Sequence, residues 1–252
     1  MSDALVIRDQ NGAVATITMN NPSKANVLSL EMMDALQGAL ENAGADSNIR
    51  VVVIGAIGKL FCAGHNLAEL QAQPDTKHVE ALFQRCTKLM TAIRTLPKPV
   101  IAKVQGSAVA AGCQLVAVCD LAYAADTAKF GLNGINLGLF CSTPIVAVSR
   151  SIAPKQALEM AMSGALISAA RAAELGLINA AVPAATLEDE VQRRTREIST
   201  KDSEALAIGK KLFWQQAALP EGEAYALASK AMATNMQLTT TREKIANFLA
   251  KP

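Results

Sequence analysis

Apolar and polar positions change rhythm several times along the chain. "ALVIRDQNGAVATITM" holds two β-rich runs around Asn11-Gly12, a strong signal for a tight hairpin. "NNPSKANVLS" reads as a polar loop, and its Ser29 is placed to cap a helix running to about Ala43. Met33, Leu36 and Leu40 fall on one face of that helix. "VVVIGA", Val51 to Ala56, predicts a short buried strand, and "GKLFCAGHNLAEL" leaves it as a loop that turns helical near Asn66. A longer helix is predicted from about Val79 to Thr95, with Leu82, Cys86, Leu89 and Ile93 on one face; Pro97 and Pro99 stop it.

"VIAKV", Val100 to Val104, predicts the next strand. After Gly106, "AVAAGCQLVAV" reads as a buried helix, being too short for a membrane span. "LAYAA" after Asp120 and "INAAV", Ile178 to Val182, predict two further extended segments. Beyond Pro183 the texture turns helical to Leu249, broken by Ser/Asp caps and Pro220. The expectation is an α/β core over residues 1–183 and a helical region over 184–252. No internal repeat or low-complexity segment stands out.

Composition narrows the class. A 51% apolar share of 252 residues can bury a sizeable core. Charged residues make up 18%, below the usual share of about 25%, as expected if other subunits cover part of the surface. Net charge is +2 and the basic residues are scattered, so no nucleic-acid footprint is expected. A small polyanionic ligand needs only a few local cations. The N-terminus lacks the charged and apolar regions of a signal peptide, and no apolar run reaches membrane-span length. The five cysteines include no CxxC pair, and with only His65 and His78 no zinc-type spacing arises. No metal is expected, and the thiols suit a reducing cytoplasm. Cys62, Cys86, Cys113 and Cys119 sit in apolar patterns and read as core.

Candidate chemistry sits in two places that share one pattern: strand, small-residue loop, helix. They are "VVVIGAIGKLFCAGHNL" and "VIAKVQGSAVAAGCQL". Each puts free helix N-terminal amides at the carboxyl end of a strand, where α/β sheets bind ligands. If the strands are neighbours, the amides converge on one oxygen and form an oxyanion hole. Ala63, Gly64, Ala110, Ala111 and Gly112 then matter for lacking bulk. The plainer alternative is that these residues only let helix and strand pack closely.

The motifs "NNPSKANVLS", "FCAGHNL", "GSAVAAGCQLVAVCDLAYAADTAKFG", "GLNGINLG", "ISAARAAELGLINAAVP" and "NFLAK" occur in one order along nearly the whole chain. Together they resemble the enoyl-CoA hydratase/isomerase family, the crotonase superfamily. The resemblance implies an α/β spiral of ββα units with a C-terminal helical trimerisation region, as a homotrimer or dimer of trimers. It implies coenzyme A as part of a thioester substrate, with no covalently bound cofactor. The thioester oxygen would be held by the amides of His65 and Ala111. Lys24, Ala25, Asn26 and Val27 match the family's CoA loop. Ala63, Gly64, Asn66, Leu67 and Gly112 would border the CoA path. Phe248 and Lys251 match a C-terminal element that reaches CoA, in some relatives from a neighbouring subunit.

Two positions depart from the family's hydratases, which use two glutamates to hold water and move its proton. Gln114 and Gly134 stand in their places. Neither exchanges a proton near neutral pH, so efficient hydration is not expected. Gln114 can still position a water, and Asn133 and Asn136 flank Gly134. "AGHNLAEL" resembles the loop of the family's methylmalonyl-CoA decarboxylase branch, which makes His65 a candidate; otherwise only its backbone acts and its ring faces solvent or CoA. Cys141 stands where that branch carries a tyrosine, and reads first as pocket wall. Asp120 reads as a structural partner, Asn66 as a helix cap, and His78 as a solvated loop residue. Three functions remain open: an acyl-CoA lyase or isomerase with an altered acid/base set, a decarboxylase, and a non-catalytic acyl-CoA-binding scaffold.

Overall fold

The computed structural model describes residues 4–72 and 75–250. The predicted hairpin is present as β1 (Val6–Asn11) and β2 (Val14–Met19), antiparallel around Gly12, whose φ of +56° suits a residue without a Cβ. The Ser29 Oγ accepts from the Met32 amide at 3.1 Å and starts α1 (Leu30–Ala45). Then follow β3 (Val51–Ala56), β4 (Leu60–Cys62), α2 (Leu67–Ala72) and α3 (Thr76–Thr95). The α3 helix begins earlier than its apolar stripe predicts, because Asp75 caps it. His78 therefore lies half-buried in the first turn of α3, not in a solvated loop, and its amide donates to Asp75 Oδ2 at 3.0 Å.

The chain continues with β5 (Val100–Val104), β6 (Ser107–Val109) and α4 (Ala111–Val118). Next come β7 (Leu121–Ala125), β8 (Lys129–Gly131), a 3-10 turn (Asn133–Leu137), α5 (Ser142–Val148) and α6 (Pro154–Ser163). Then β9 (Ile167–Ser168), α7 (Ala169–Leu175) and β10 (Ala180–Val182) close the α/β part. Four helices follow: α8 (Leu187–Ser199), α9 (Ser203–Gln216), α10 (Glu221–Gln237) and α11 (Thr239–Leu249).

Two sheets organise these strands. The larger has the order β1-β2-β3-β5-β7-β10 and the smaller β4-β6-β8-β9. Each of β3, β5 and β7 lies in the larger sheet and is followed by a short strand in the smaller one, then by helix. The ββα turn thus recurs in space although no repeat is visible in the sequence. The four strands of the smaller sheet span two or three residues each, too short to announce themselves by periodicity.

Alternation along β3 feeds two cores. Val52 and Ile54 join the cluster shared with α1, α3 and α4, while Val51 and Val53 face Leu187 and Val191 of α8 on the other side. The helix beginning at Leu187 is therefore part of the sheet's own packing, and residue 183 is not a packing boundary. Beyond it, α9, α10 and α11 bury none of their residues fully, and Phe213, Tyr225, Met232, Phe248 and Leu249 stand open. Among the described residues no helix is long and apolar enough to cross a membrane.

Asp120 anchors this region. Lys210 of α9 reaches its Oδ2 at 2.6 Å and also donates to the Ile93 and Lys98 carbonyls at 2.9 Å. The Val100 amide donates to the same Oδ2 at 2.8 Å. Burial pushes Asp120 up and Lys210 down, and each holds the other charged. The structural role expected of Asp120 is the one observed, with Lys210 as its partner.

Candidate active site

The first loop of the site leaves β4 and enters α2. Gly64 adopts φ +95°, open to glycine and strained for other residues. Leu28 and His65 form a parallel bridge: the Leu28 amide donates to Gly64 O at 2.8 Å and the Asn66 amide to Leu28 O at 3.4 Å. That pattern consumes the neighbours of His65 and leaves its own N–H without a backbone acceptor among the described residues. Asn66 caps α2 as expected, its Oδ1 accepting from the Ala68 amide at 3.2 Å. Its Nδ2 donates to Glu69 Oε1 at 3.0 Å, and the other oxygen of Glu69 accepts from the Leu30 amide. The acid of this loop is thereby tied into the scaffold.

The second loop leaves β6 and enters α4. Ala110 is held at φ +49°, ψ −119°, a strained conformation for a residue with a side chain. Its amide donates to Gly131 O at 2.8 Å, and its carbonyl accepts from the Gln114 amide at 3.1 Å. The Ala111 amide is the first of the helix, so it has no intrahelical acceptor. It finds no other backbone partner among the described residues.

The two loops meet because β4 and β6 pair in parallel. A Cβ on Gly112 would stand 2.2 Å from Cys62 O, so only glycine lets the start of α4 rest on the β4 backbone. A Cβ on Gly64 would stand 3.3 Å from the Ala111 nitrogen. Close packing and unpaired amides, set against each other in the sequence, occur together here.

The polar side chains His65 and Gln114 carry no charge at neutral pH. The Gln114 side chain is 5% exposed, and its Oε1 is buried without a hydrogen-bond partner. The His65 ring turns inward, edge-on to Phe83 with centroids 5.1 Å apart, and its Nε2 is also buried and unpartnered. Burial lowers its pKa to about 4, so it is uncharged at neutral pH. The ring packs against Phe83 with its Nε2 covered, while the residue as a whole is half-buried. Phe83 carries no motif signal; it is simply one more apolar residue of α3.

Gly134 lies in the 3-10 turn, and the loop folds over it. A Cβ there would stand 2.5 Å from Leu139 O and 2.9 Å from Cys141 Sγ. Asn136 spends its Nδ2 on Gly164 O at 3.4 Å. Cys141 is 6% exposed at the N-cap of α5, and burial raises its pKa while a backbone hydrogen bond from Gly134 draws it back. A thiol held protonated is a poor nucleophile. Cys62, Cys86 and Cys113 are buried with pKa values near 12, and Cys119 is raised as well. Among the described residues no three His, Cys, Asp or Glu side chains gather into a metal-binding group.

The loop over Lys24 to Val27 approaches the site from the side. Ala25 and Asn26 both adopt positive φ, and Ala25 O accepts from the Ala63 amide at 3.1 Å. Asn26 is fully buried: Oδ1 accepts from the Asn21 amide, and Nδ2 donates to Ile57 O and Leu60 O, both at 2.9 Å. Its side chain shapes the loop and is not free for a ligand. Lys24 is exposed, Val27 half-buried, and Leu67 is 51% exposed at the start of α2. Phe248 is 76% exposed on α11, which packs on α10; Lys251 lies outside the described residues.

The model of the enoyl-CoA hydratase/isomerase family matches residues 9–251. The chain belongs to the enoyl-CoA hydratase/isomerase family. Human enoyl-CoA hydratase domain-containing protein 3, mitochondrial, is 42% identical over 242 residues, covering 96% of this chain and 80% of that protein. Its crystal structure matches with a TM-score of 0.95 at 41% identity over 98% of this chain and 99% of that one. An enoyl-CoA hydratase from Mycobacterium smegmatis also gives 0.95, at 46% identity over 97% of this chain and 96% of that one. The fold is thus the crotonase fold of the hydratase/isomerase family. Within that fold the amides of His65 and Ala111 have no backbone partner among the described residues, and neither Gln114 nor Gly134 is an acid.

Proposed function

We propose that this chain binds an acyl-CoA thioester and stabilises its enolate with the backbone amides of His65 and Ala111. The observation that carries this reading is the pair of unpaired amides brought together by the Gly64–Ala111 approach. The amides would donate to the thioester oxygen and strengthen their bonds as it becomes anionic. Such donors contribute most in a dry, preorganised site. Exposed Lys24 is the cation that would meet a CoA phosphate. The unburied apolar faces of α9, α10 and α11 support a homotrimer or dimer of trimers.

Hydration of a double bond is disfavoured, because Gln114 and Gly134 cannot carry its proton. A decarboxylation is the second reading, favoured by the same neutrality. There the C–C bond breaks, CO2 leaves, and the bonding pair delocalises onto the held thioester oxygen. Water then returns a proton to the α carbon. No carboxylate at 114 or 134 repels the substrate's own.

Isothermal titration with CoA and a series of acyl-CoAs tests the reading. Saturable binding of thioesters supports it; no binding of any thioester at millimolar concentration sinks it. Mass spectrometry of malonyl- and methylmalonyl-CoA incubations separates decarboxylation from hydration of crotonyl-CoA. Binding with no turnover on a broad panel would leave a scaffold.

A further inference from the structure

Helix α9 does not close fully against the core. A cavity of about 370 Å³ remains between them, the size of a small ligand pocket. Pro99 and Asp120, which immediately precede β5 and β7, bound it on the core side. Leu206, Phe213 and Trp214 bound it on the α9 side. The Ala111 amide lies beyond the other end of β5, and the cavity shares no lining residue with the two amide loops.

Gly209 faces this space from the middle of α9. Glycine inside a helix is unfavourable beside alanine, and close approach of a neighbour is one reason to keep it. That reason is absent here, because nothing lies within 4 Å of where its Cβ would stand. The missing side chain gives the cavity its room and relieves no crowding.

The polar end of the cavity is an acceptor. The three hydrogens of the Lys210 ammonium are engaged by Asp120 Oδ2 and by the Ile93 and Lys98 carbonyls. Asp120 Oδ2 also takes the Val100 amide. Asp120 Oδ1 has only the Trp214 indole N–H, at 3.5 Å, outside the usual range of ~2.7–3.2 Å. The Asp120 side chain keeps 17% of its surface and lines the cavity, so this oxygen can take a donor from a ligand. Charge narrows the choice of donor. An anion would meet the Asp120 carboxylate. A cation would meet Lys210 and Arg94, whose guanidinium stands 3.9 Å from the centre of the Trp214 ring. A neutral hydroxyl on a flat apolar body suits both the oxygen and the aromatic walls.

We propose that this cavity is a second binding site, for a small neutral aromatic compound bearing a hydroxyl. The hydroxyl donates to Asp120 Oδ1, and the ring packs between Leu206, Phe213 and Trp214. A compound held there binds only the folded chain and fastens α9 to the core. The inference is independent of the acyl-CoA reading.

The test is calorimetric titration of the full chain with p-cresol, toluene and 4-methylbenzoate, on the wild type and on Gly209→Leu, which fills the space. p-Cresol should bind the wild type roughly 10- to 100-fold more tightly than toluene, as a hydrogen bond to a charged group implies. 4-Methylbenzoate should bind more weakly than p-cresol. Gly209→Leu should lose p-cresol binding while keeping its melting temperature and its acyl-CoA affinity. A crystal soaked in p-cresol should place its oxygen within hydrogen-bond distance of Asp120 Oδ1, a readout that needs no variant. No saturable p-cresol binding by the wild type would overturn the inference, as when a second copy of the chain already fills the cavity. Tighter binding of 4-methylbenzoate would overturn it in favour of an anion held by Arg94. Undiminished p-cresol binding by a folded Gly209→Leu, or a soaked molecule found elsewhere, would overturn it too.

Discussion

Gly64 and Ala111 touch across the site: a Cβ on Gly64 would stand 3.3 Å from the Ala111 nitrogen and 3.0 Å from the Ala110 Cβ. The hole is built where two chain segments approach as closely as a missing Cβ permits. Its donors are main-chain atoms, so its integrity depends on backbone shape and not on any one side chain's chemistry.

Gly64→Ala should therefore damage the site with moderate harm to the fold. The strain at positive φ is on the order of 1–3 kcal/mol. Displacing one of two oxyanion donors lowers turnover by about 10²–10³-fold. Gly209→Ala is the control, because nothing lies within 4 Å of a Cβ there and the site is a helix interior. It should raise stability by about 0.5–1 kcal/mol. Thermal melts and acyl-CoA titrations on both variants check this; normal thioester binding by Gly64→Ala would contradict it.

The two missing acids should not be equally restorable. Gln114→Glu places a carboxylate in a space already shaped for its neutral counterpart. Crotonyl-CoA hydration should rise above the wild-type level, within the roughly 10²–10⁴-fold that one acid/base group supplies. Gly134→Glu must push aside the Leu139 carbonyl. Overpacking of that kind costs about 1–3 kcal/mol, and no hydratase gain should follow. Loss of the enoyl thioester absorbance gives both rates.

The Asp120–Lys210 pair should be the main fastening of α9 to the core. Asp120→Ala leaves the Lys210 charge half-buried and is expected to cost about 3–5 kcal/mol. Asp120→Asn combined with Lys210→Met removes both charges and should recover most of that loss. Urea unfolding of the three proteins measures it. A double variant no better than Asp120→Ala would show that packing, not charge, sets the cost.

His65 should make stability pH-dependent in a defined window. Its folded pKa of about 4 lies below the ordinary value of 6.5 because of burial. The unfolded chain thus binds the proton first as pH falls. The contribution is fully present above pH ~6.5, declines toward pH ~4, and amounts to at most about 3 kcal/mol. His65→Gln keeps the backbone amide and removes the titration. Its stability should be flatter than the wild type's between those limits in denaturant titrations at several pH values, while thioester binding at neutral pH persists.

Much of the frame was legible in the chain. The Asn11-Gly12 hairpin, the Ser29 cap, the buried runs at Val51 and Val100 and the helical texture after Pro183 each follow from local periodicity or turn chemistry. So does the run of small residues at 63–64 and 110–112. The strands of the smaller sheet were not legible, because two or three residues hold no period. The start of α3 was missed because its cap, Asp75, lies outside the apolar stripe.

The sequence by itself determined which residues lack bulk, which lack charge, and that no acid stands at 114 or 134. Those are properties of side chains, carried wherever the chain goes. Only the tertiary structure decided what those absences do. It set β4 beside β6, which brings two helix starts together and leaves the amides of His65 and Ala111 without a backbone partner among the described residues. It closed the Leu139 carbonyl over Gly134, turned the His65 ring onto Phe83 and spent the Asn26 amide inside the loop. Burial and hydrogen-bond satisfaction are relations between distant segments, and no local pattern contains them.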